Sequence, residues 1–167
     1  MNQESRYVLI SENISQALLP TLNTLSREGI TYLAYGIKRK NIRTCFFSHT
    51  QWGKTFINQK LYTSDPYIYR AEHTNNKFIF WEDVEFSNIE KKIDDWRREE
   101  CKITNGMTFS IHAYDFHELI AIGTSSPLMS MKALAFEEKR SNHLFQLLSP
   151  LRNAHFKHLY TGNNHEK

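Results

Sequence analysis

The stretch Met107–Thr124, MTFSIHAYDFHELIAIGT, decides the fold class of this chain. Met107–Ala113 and Glu118–Thr124 have the composition of strands, and a short connection joins them. Strands joined in this way pair as antiparallel neighbours, because a parallel pair needs a crossover of about a dozen residues or more. The second strand contains the apolar run LIAIG, which predicts a central position in the sheet. A doubly wound parallel sheet is therefore excluded.

Three further strands are predicted upstream of this hairpin. Ile30–Ile37 and Arg43–Ser48 are aromatic-rich runs on either side of the basic turn Lys38–Ile42, a pattern that is typical of a second hairpin. Phe78–Trp81, FIFW, is a short strand. We expect the basic residues around the turn to be solvated rather than to bind phosphate: Lys38, Arg39, Lys40 and Arg43.

Helices are predicted before and between these strands. Ser11–Glu28 has apolar residues at helical spacing, and Pro20 should kink this helix or split it in two. Gln51–Asn75 predicts a helix, a loop and a second helix. The second helix should begin at Asp65–Pro66, because Asp is a good N-cap and Pro suits the first helical position.

Two more helices complete the predicted order. Ser87 and Glu90 form a capping box that opens a helix, and Gly106 is expected to mark its end. A long helical stretch follows Pro127, with Pro150 marking a break near Ser149. The apolar face of the first of these helices is predicted to consist of Ile89, Ile93, Trp96 and Ile103.

This order predicts an α+β fold, a three-layer α-β-α sandwich with a five-stranded antiparallel sheet between helical layers. We expect a single ligand-sensing domain over residues 1–167, with a core of about 11–160 and a frayed tail at 161–167.

Composition excludes several classes of protein. The 167 residues include 21 Lys and Arg against 18 Asp and Glu, a net charge of +3 that is not gathered into one block, so neither nucleic acid nor a membrane is an expected partner. With 40% hydrophobic residues the chain is not disordered. The two cysteines, Cys45 and Cys101, are too few for a disulfide scaffold, and no run of about 18 apolar residues or secretion signal is present. We therefore expect a cytoplasmic protein.

No catalytic or metal motif stands at a diagnostic spacing. The chain lacks a G-x-S-x-G elbow, a glycine-rich phosphate loop and H-E-x-x-H. His155 and His158 would share a helix face, but without a third ligand they are expected to be surface or helix-end residues. The charged run Arg97–Glu100 predicts a solvated helix face. No catalytic residue, metal ligand or cofactor is assigned.

One constellation does point to a ligand. An indole N–H such as that of Trp52 only donates a hydrogen bond, and a carboxylate such as Asp65 only accepts one. Aromatic residues beside them would form a dry pocket suited to a neutral amphiphile. A charged Asp65 in such a pocket must be satisfied by a ligand or by a neighbouring group. The full set is Trp52, Phe56, Asp65, Pro66, Trp81 and Gly106.

These residues resemble the signature of the LuxR-type autoinducer-binding domain, the sensor half of bacterial quorum-sensing transcription regulators. The resemblance implies that Trp52 donates to the lactone carbonyl of an N-acyl homoserine lactone and that Asp65 accepts from its amide N–H. It also implies that Trp81 packs by the lactone head and that Gly106 lies at the start of a strand. The ligand would then be a small-molecule autoinducer bound in a buried pocket, and the protein would not be an enzyme.

Two positions depart from the family pattern. Ser48 stands where the family usually has Tyr, and Phe56 also stands where Tyr is usual. Ser48 could still donate, but its side chain is short and leaves space for a bulkier ligand or a water molecule. A ligand other than a lactone is therefore compatible with the sequence.

The resemblance also implies that the protein forms homodimers through its final helix. Regulators of this family continue into a helix-turn-helix domain, and no DNA-reading module follows Tyr160 in this chain. The expected forms are a sensor-domain piece of a longer regulator and a standalone receptor. A standalone interaction protein that acts by dimerisation is the alternative. A less favoured one is an enzyme that acts on an acyl amphiphile with Asp65 and Ser48 or His49. Adjacent strand residues point to opposite faces, so Ser48 and His49 are not expected to meet.

Overall fold

The computed structural model describes residues 5–74 and 77–161, and these form an α+β fold around one sheet. The described strands are β1 (Arg6–Leu9), β2 (Tyr32–Arg39), β3 (Ile42–Phe47), β4 (Phe78–Phe80), β5 (Asn105–His112) and β6 (His117–Thr124). Their order across the sheet is β1-β3-β2-β6-β5-β4.

The two predicted hairpins are confirmed. β2 pairs with β3 and β5 pairs with β6, both antiparallel. The β2–β3 turn is tight, and Lys40 adopts a left-handed conformation there with φ of 55°. β6 lies between β2 and β5, the central position that its apolar run predicts.

The prediction of five antiparallel strands is wrong, because the sheet has a sixth strand, β1, that pairs in parallel with β3. Arg6 lies opposite Ile42 and Leu9 opposite Cys45. Hydrogen bonds from Arg6 N to Asn41 O (2.7 Å) and from Ile10 N to Cys45 O (2.9 Å) extend the pairing. A four-residue strand has too little pattern to be recognised locally, and it forms only where the free edge of β3 offers it partners.

Seven α-helices are described, and most of their boundaries follow the local signals. Pro20 does coincide with a split, into α1 (Glu12–Ala17) and α2 (Leu19–Arg27). The capping box at Ser87 is confirmed. The remaining helices are α3 (Thr50–Asn58), α4 (Pro66–His73), α5 (Asn88–Cys101), α6 (Met131–Phe136) and α7 (Glu138–Thr161), with 3₁₀ turns at Leu61–Ser64 and Trp81–Asp83.

Two predicted helix ends are wrong. Helix α7 continues through Pro150 instead of breaking near Ser149, and the interruption falls at Glu137, between α6 and α7. Pro150 is exposed, so water can satisfy the carbonyl that loses its partner. Helix α5 ends before Lys102, a left-handed C-cap with φ of 55°, and Gly106 is instead the second residue of β5.

The two faces of the sheet carry separate cores, because strand residues alternate between them. Leu33 and Ile120 belong to the core that α2, α6 and α7 cover, whereas Tyr32 and Leu119 belong to the core that α3, α4 and α5 cover. Helices therefore pack on both faces, as a three-layer arrangement requires. The predicted ligand residues on α3, at the start of α4 and after β4 all belong to the second side.

The predicted frayed tail after Thr161 lies outside the described residues. Within residues 5–74 and 77–161, no helix combines the length and the apolar composition that crossing a membrane requires.

Candidate functional site

Helix α3 contributes two aromatic rings one turn apart. Trp52 and Phe56 are both buried, and their ring centroids are 5.8 Å apart. The four-residue spacing places both on the face of α3 that packs toward the sheet. Among the described residues, the buried Trp52 Nε1 atom has no hydrogen-bond acceptor of good geometry, although the Tyr32 side chain is close enough to interact with it.

Trp81 lies directly after β4 and is fully packed. Its indole stacks on the ring of Tyr67 with centroids 4.6 Å apart, and its Nε1 donates to the Thr108 hydroxyl over 3.0 Å. Gly106 permits this position, because a Cβ at Gly106 would lie 2.5 Å from Trp81 Cε3 and 2.7 Å from the carbonyl oxygen of Ile122. Trp81 can therefore pack this closely against the backbone only because residue 106 is a glycine.

Asp65 is the N-cap of α4, as its sequence context predicts. Its Oδ1 accepts hydrogen bonds from the backbone N–H groups of Tyr67 and Ile68, each over 2.9 Å. Pro66 follows at the first helical position and is buried. The other carboxylate oxygen, Oδ2, forms an ion pair with Arg97, and both side chains are almost completely buried.

Arg97 is a buried member of the candidate site that sequence reasoning missed. The run Arg97–Glu100 was expected to be a solvated face, yet Arg97 is only 3% exposed, whereas Glu99 and Glu100 are exposed as expected. Its spacing indicates burial, because Arg97 lies four residues after Ile93 and four residues before Cys101, on the same buried face of the helix. The predicted apolar face was correspondingly wrong at Ile89 and Trp96, which are exposed.

The Arg97 guanidinium lies at the centre of the aromatic cluster. Its carbon Cζ is 5.6 Å from the ring centroid of Trp52, 5.9 Å from that of Phe56 and 5.5 Å from that of Trp81. Burial opposes the charged form, but the Asp65 carboxylate outweighs it, so the pKa of Arg97 is raised. Arg97 is therefore a permanent buried cation that links most of the predicted site residues.

An internal cavity of about 60 Å³ lies beside this cluster, between the sheet and helices α3 to α5. Phe56 and Asp65 are the predicted site residues that line it, and Arg97 lies beside them. The other predicted site residues are not part of its wall: Ser48, Trp52, Pro66, Trp81 and Gly106. Trp52 contacts the ring of Phe56, which lines the cavity.

Arg43 also lines the cavity, which corrects the expectation that the β2–β3 turn leaves it solvated. It is 1% exposed, because its β3 position faces the interior rather than the hairpin tip. Its Nη2 donates to Glu72 Oε1 over 2.5 Å and lies 3.3 Å from His117 Nδ1. Its Nε and Nη1 atoms have no acceptor among the described residues.

Ser48 and His49 meet, contrary to the expectation from strand alternation. Ser48 Oγ accepts from the backbone N–H of Leu33 over 2.9 Å and lies 3.0 Å from His49 Nδ1. Alternation does not apply here because β3 already ends at Phe47. Burial lowers the pKa of His49.

Metal binding finds no support in the part of the chain that the structure describes, where no three His, Cys, Asp or Glu side chains come together in a way that could hold an ion. His155, expected at the surface or at a helix end, is completely buried against the ring of Tyr35, with centroids 4.5 Å apart.

Comparison with known proteins gives a consistent answer at the level of the fold. No protein-family model matches the chain, and no curated protein matches it. Among solved structures, the N-acylhomoserine lactone-dependent LuxR family transcription factor CepR2 from Burkholderia cenocepacia aligns with a TM-score of 0.59 at 14% identity, over 84% of this chain and 81% of that chain.

Two other solved structures are similar. SdiA from Escherichia coli aligns with a TM-score of 0.64 at 10% identity, over 94% of this chain and 65% of the SdiA chain. The VqsR ligand-binding domain from Pseudomonas aeruginosa aligns with a TM-score of 0.56 at 13% identity, over 84% and 93% of the two chains. Together with the six signature positions, these alignments show that the chain has the fold of the LuxR-type autoinducer-binding domains.

Proposed function

We propose that this chain is a cytoplasmic sensor domain of the LuxR type that binds an N-acyl homoserine lactone or a similar small amphiphile in its internal cavity. The observation that carries the proposal is the cavity itself, lined largely by aromatic rings and bordered by buried polar groups without partners. Protein interiors are close-packed, and buried polar groups normally find partners, so both features favour a ligand site.

The geometry is compatible with the roles that the resemblance assigns. A carboxylate has about four lone-pair sites, and Asp65 uses three of them, on Tyr67 N, Ile68 N and Arg97. One site is left for a ligand amide N–H. The Trp52 indole N–H would supply the donor for a ligand carbonyl once the Phe56 ring, which separates Trp52 from the cavity, turns aside.

The size of the cavity limits the ligand. About 60 Å³ is well below the roughly 300–1,000 Å³ of pockets that hold drug-sized ligands. This is the room of about two water molecules, so even a head group with a short chain would have to displace side chains, and a longer acyl chain would displace more of the aromatic core.

Thermal unfolding with added ligand tests the proposal. Ligand at 100 times its Kd stabilises a protein by about 2.7 kcal/mol, which for a domain of this length raises Tm by roughly 5–11 °C. We expect a rise of that order with at least one member of a panel of short-chain and long-chain acyl homoserine lactones and their open-chain analogues. A Tm that no member of the panel changes would refute the proposal.

Regulation and assembly belong to the same proposal. The chain spans 65% of the SdiA chain, so transcription regulation is proposed only for a protein in which this domain works together with a DNA-binding domain.

We expect homodimers through α6 and α7, where Phe136 is 68% exposed. Sedimentation equilibrium tests this expectation, and a monomer at all protein concentrations would contradict it.

An enzyme that acts on an acyl amphiphile is the second candidate, and the 3.0 Å approach of Ser48 Oγ to His49 Nδ1 is the observation in its favour. Against it, Ser48 is not part of the cavity wall, and its Oγ already accepts from Leu33 N. Mass spectrometry of the ligand after incubation with the protein distinguishes the candidates, since a receptor returns the ligand unchanged.

A further inference from the structure

Two buried guanidinium groups, those of Arg43 and Arg97, line the same small cavity. Their residues are 1% and 3% exposed. Three of their nitrogen atoms have no hydrogen-bond acceptor among the described residues: Arg43 Nε, Arg43 Nη1 and Arg97 Nη1. Arg97 Nη1 lies 3.7 Å from Asp94 Oδ1, which is beyond hydrogen-bonding distance.

The carboxylates around these two groups are already shared. Glu72, the partner of Arg43, also lies 3.8 Å from Lys38 Nζ. Asp94 accepts from Arg98 Nε over 2.6 Å and from the Tyr67 hydroxyl over 2.6 Å. Of the charged side chains that line the cavity, two are cations, Arg43 and Arg97, and one is a carboxylate, Asp65, so the wall is short of negative charge.

A neighbouring histidine responds to this positive environment. Burial and the charges of Arg43, His112 and Lys38 lower the pKa of His117 to about 3. His117 is therefore neutral at pH 7 and adds no cation of its own.

The rest of the wall offers a few further donors. The Tyr67 hydroxyl proton goes to Asp94, whereas the hydroxyl groups of Tyr7, Tyr32 and Thr108 also line the cavity and can donate to a ligand oxygen. The apolar part of the wall includes Phe47, Leu119 and Ala121. Guanidinium donors beside hydrocarbon match a ligand that has an acyl chain and an oxygen-rich, negatively charged head.

We propose that the cavity binds the carboxylate of a short-chain acyl compound, and that Arg43 and Arg97 donate hydrogen bonds to this carboxylate. This inference rests on the proposed sensor function and narrows its ligand class from amphiphiles in general to acyl carboxylates. Arginine forms paired, parallel hydrogen bonds with carboxylates, and such charge-assisted bonds are stronger than bonds to a neutral carbonyl. A neutral lactone leaves the deficit of negative charge in place.

A matched pair of probes tests the inference directly. N-hexanoyl homoserine lactone and its ring-opened form, N-hexanoyl homoserine, differ only by the addition of one water molecule across the lactone bond, which creates a carboxylate at pH 7. Isothermal titration calorimetry measures both Kd values on the wild-type chain. We expect the carboxylate to bind at least tenfold more tightly than the lactone.

Variants locate the effect. Arg43→Lys keeps the charge but loses the planar fork, and Arg43→Gln loses both, so we expect both to weaken binding of N-hexanoyl homoserine by tenfold or more. Arg70→Gln is the matched control, because Arg70 is a partly buried ion-pair partner of Glu90 outside the cavity wall. Its Kd should stay within twofold of the wild-type value, and circular dichroism checks that each variant is folded.

The outcomes separate the two levels of the proposal. If the lactone binds as tightly as the carboxylate or more tightly, the inference is overturned while the sensor function stands. If neither these probes nor any member of the wider panel binds, both fail. Should the Arg43 variants not fold, the methyl ester of N-hexanoyl homoserine replaces them as a neutral probe, and its binding as tightly as the acid would overturn the inference.

Discussion

The Asp65 carboxylate forms an ion pair with the Arg97 guanidinium, and both side chains are less than 5% exposed. The pair joins the N-terminus of α4 to the middle of α5, and four aromatic rings surround the guanidinium, including that of Tyr67 at 5.1 Å. The acid at the signature position is thus partly neutralised inside the protein. This relationship makes Asp65 a structural residue as well as a candidate ligand acceptor.

Asp65→Asn should strongly destabilise the fold. Asparagine can still cap α4, but Arg97 would lose its main counterion, and breaking a buried pair from one side costs about 3–5 kcal/mol. Urea unfolding measures the change. Asp95→Asn is the control, because the Lys91–Asp95 pair is exposed and its loss should cost no more than about 0.5 kcal/mol. A cost for Asp65→Asn below about 1 kcal/mol would contradict the buried pair.

Trp52→Phe and Trp81→Phe form a second test, because both indoles are 1% exposed but only one N–H is bonded. Trp81 Nε1 donates to Thr108, whereas Trp52 Nε1 has no acceptor. We expect Trp81→Phe to destabilise the ligand-free protein by about 1 kcal/mol more than Trp52→Phe. With ligand present, Trp52→Phe should reduce the rise in Tm, and an undiminished rise would remove Trp52 from the binding site.

Gly106→Ala should destabilise the protein by about 1–3 kcal/mol. The new methyl group would overlap the Trp81 ring and the Ile122 carbonyl oxygen, and the latter belongs to a central strand that cannot move freely. Gly36→Ala provides the comparison, since its nearest neighbours are Arg43 side-chain carbons at 3.0 and 3.1 Å. Chemical denaturation should show a smaller loss for Gly36→Ala, and equal losses would contradict the argument.

Ligand selectivity should follow chain length. Because the cavity measures about 60 Å³, four- to six-carbon acyl chains should raise Tm more than twelve-carbon chains at equal concentration. Differential scanning fluorimetry across a series with one head group measures this. A response that increases steadily with chain length would show that the aromatic core opens at little cost.

Acid should destabilise the protein through His155. Burial lowers its pKa from 6.5 to about 4, and the charge of His158 contributes in the same direction. The unfolded chain therefore binds the proton more readily than the folded one. Stability from this group is complete above about pH 6.5 and is lost as the pH falls toward 4, by up to about 3 kcal/mol. His155→Phe should flatten the stability profile between pH 6.5 and 4, and an unchanged slope would assign the loss to other groups.

Local signals in the sequence were sufficient for most elements of the fold. The Ser87 capping box, the Asp65–Pro66 helix start and the two hairpins depend on neighbouring residues only, and each is present in the structure. The strand β1 could not be found in this way. Four residues carry no periodicity, and their pairing depends on the edge of β3.

The residues of the candidate site were indicated by the sequence, whereas their long-range contacts were not. The resemblance to a family signature singled out Trp52, Phe56, Asp65, Pro66, Trp81 and Gly106, and of these only the Asp65–Pro66 helix start follows from neighbouring residues. The partners of Asp65 and Trp81, Arg97 and Thr108, are 32 and 27 residues away, and no pattern in the chain indicates these contacts.

The sequence by itself determined the α+β class, the two hairpins and the helix N-caps at Asp65 and Ser87, since these follow from local hydrogen bonding and side-chain periodicity. Only the tertiary structure decided that Arg43 and Arg97 turn inward to the same cavity. A charged side chain is normally solvated, and its burial depends on carboxylates that folding brings from distant segments to pay the cost of desolvation.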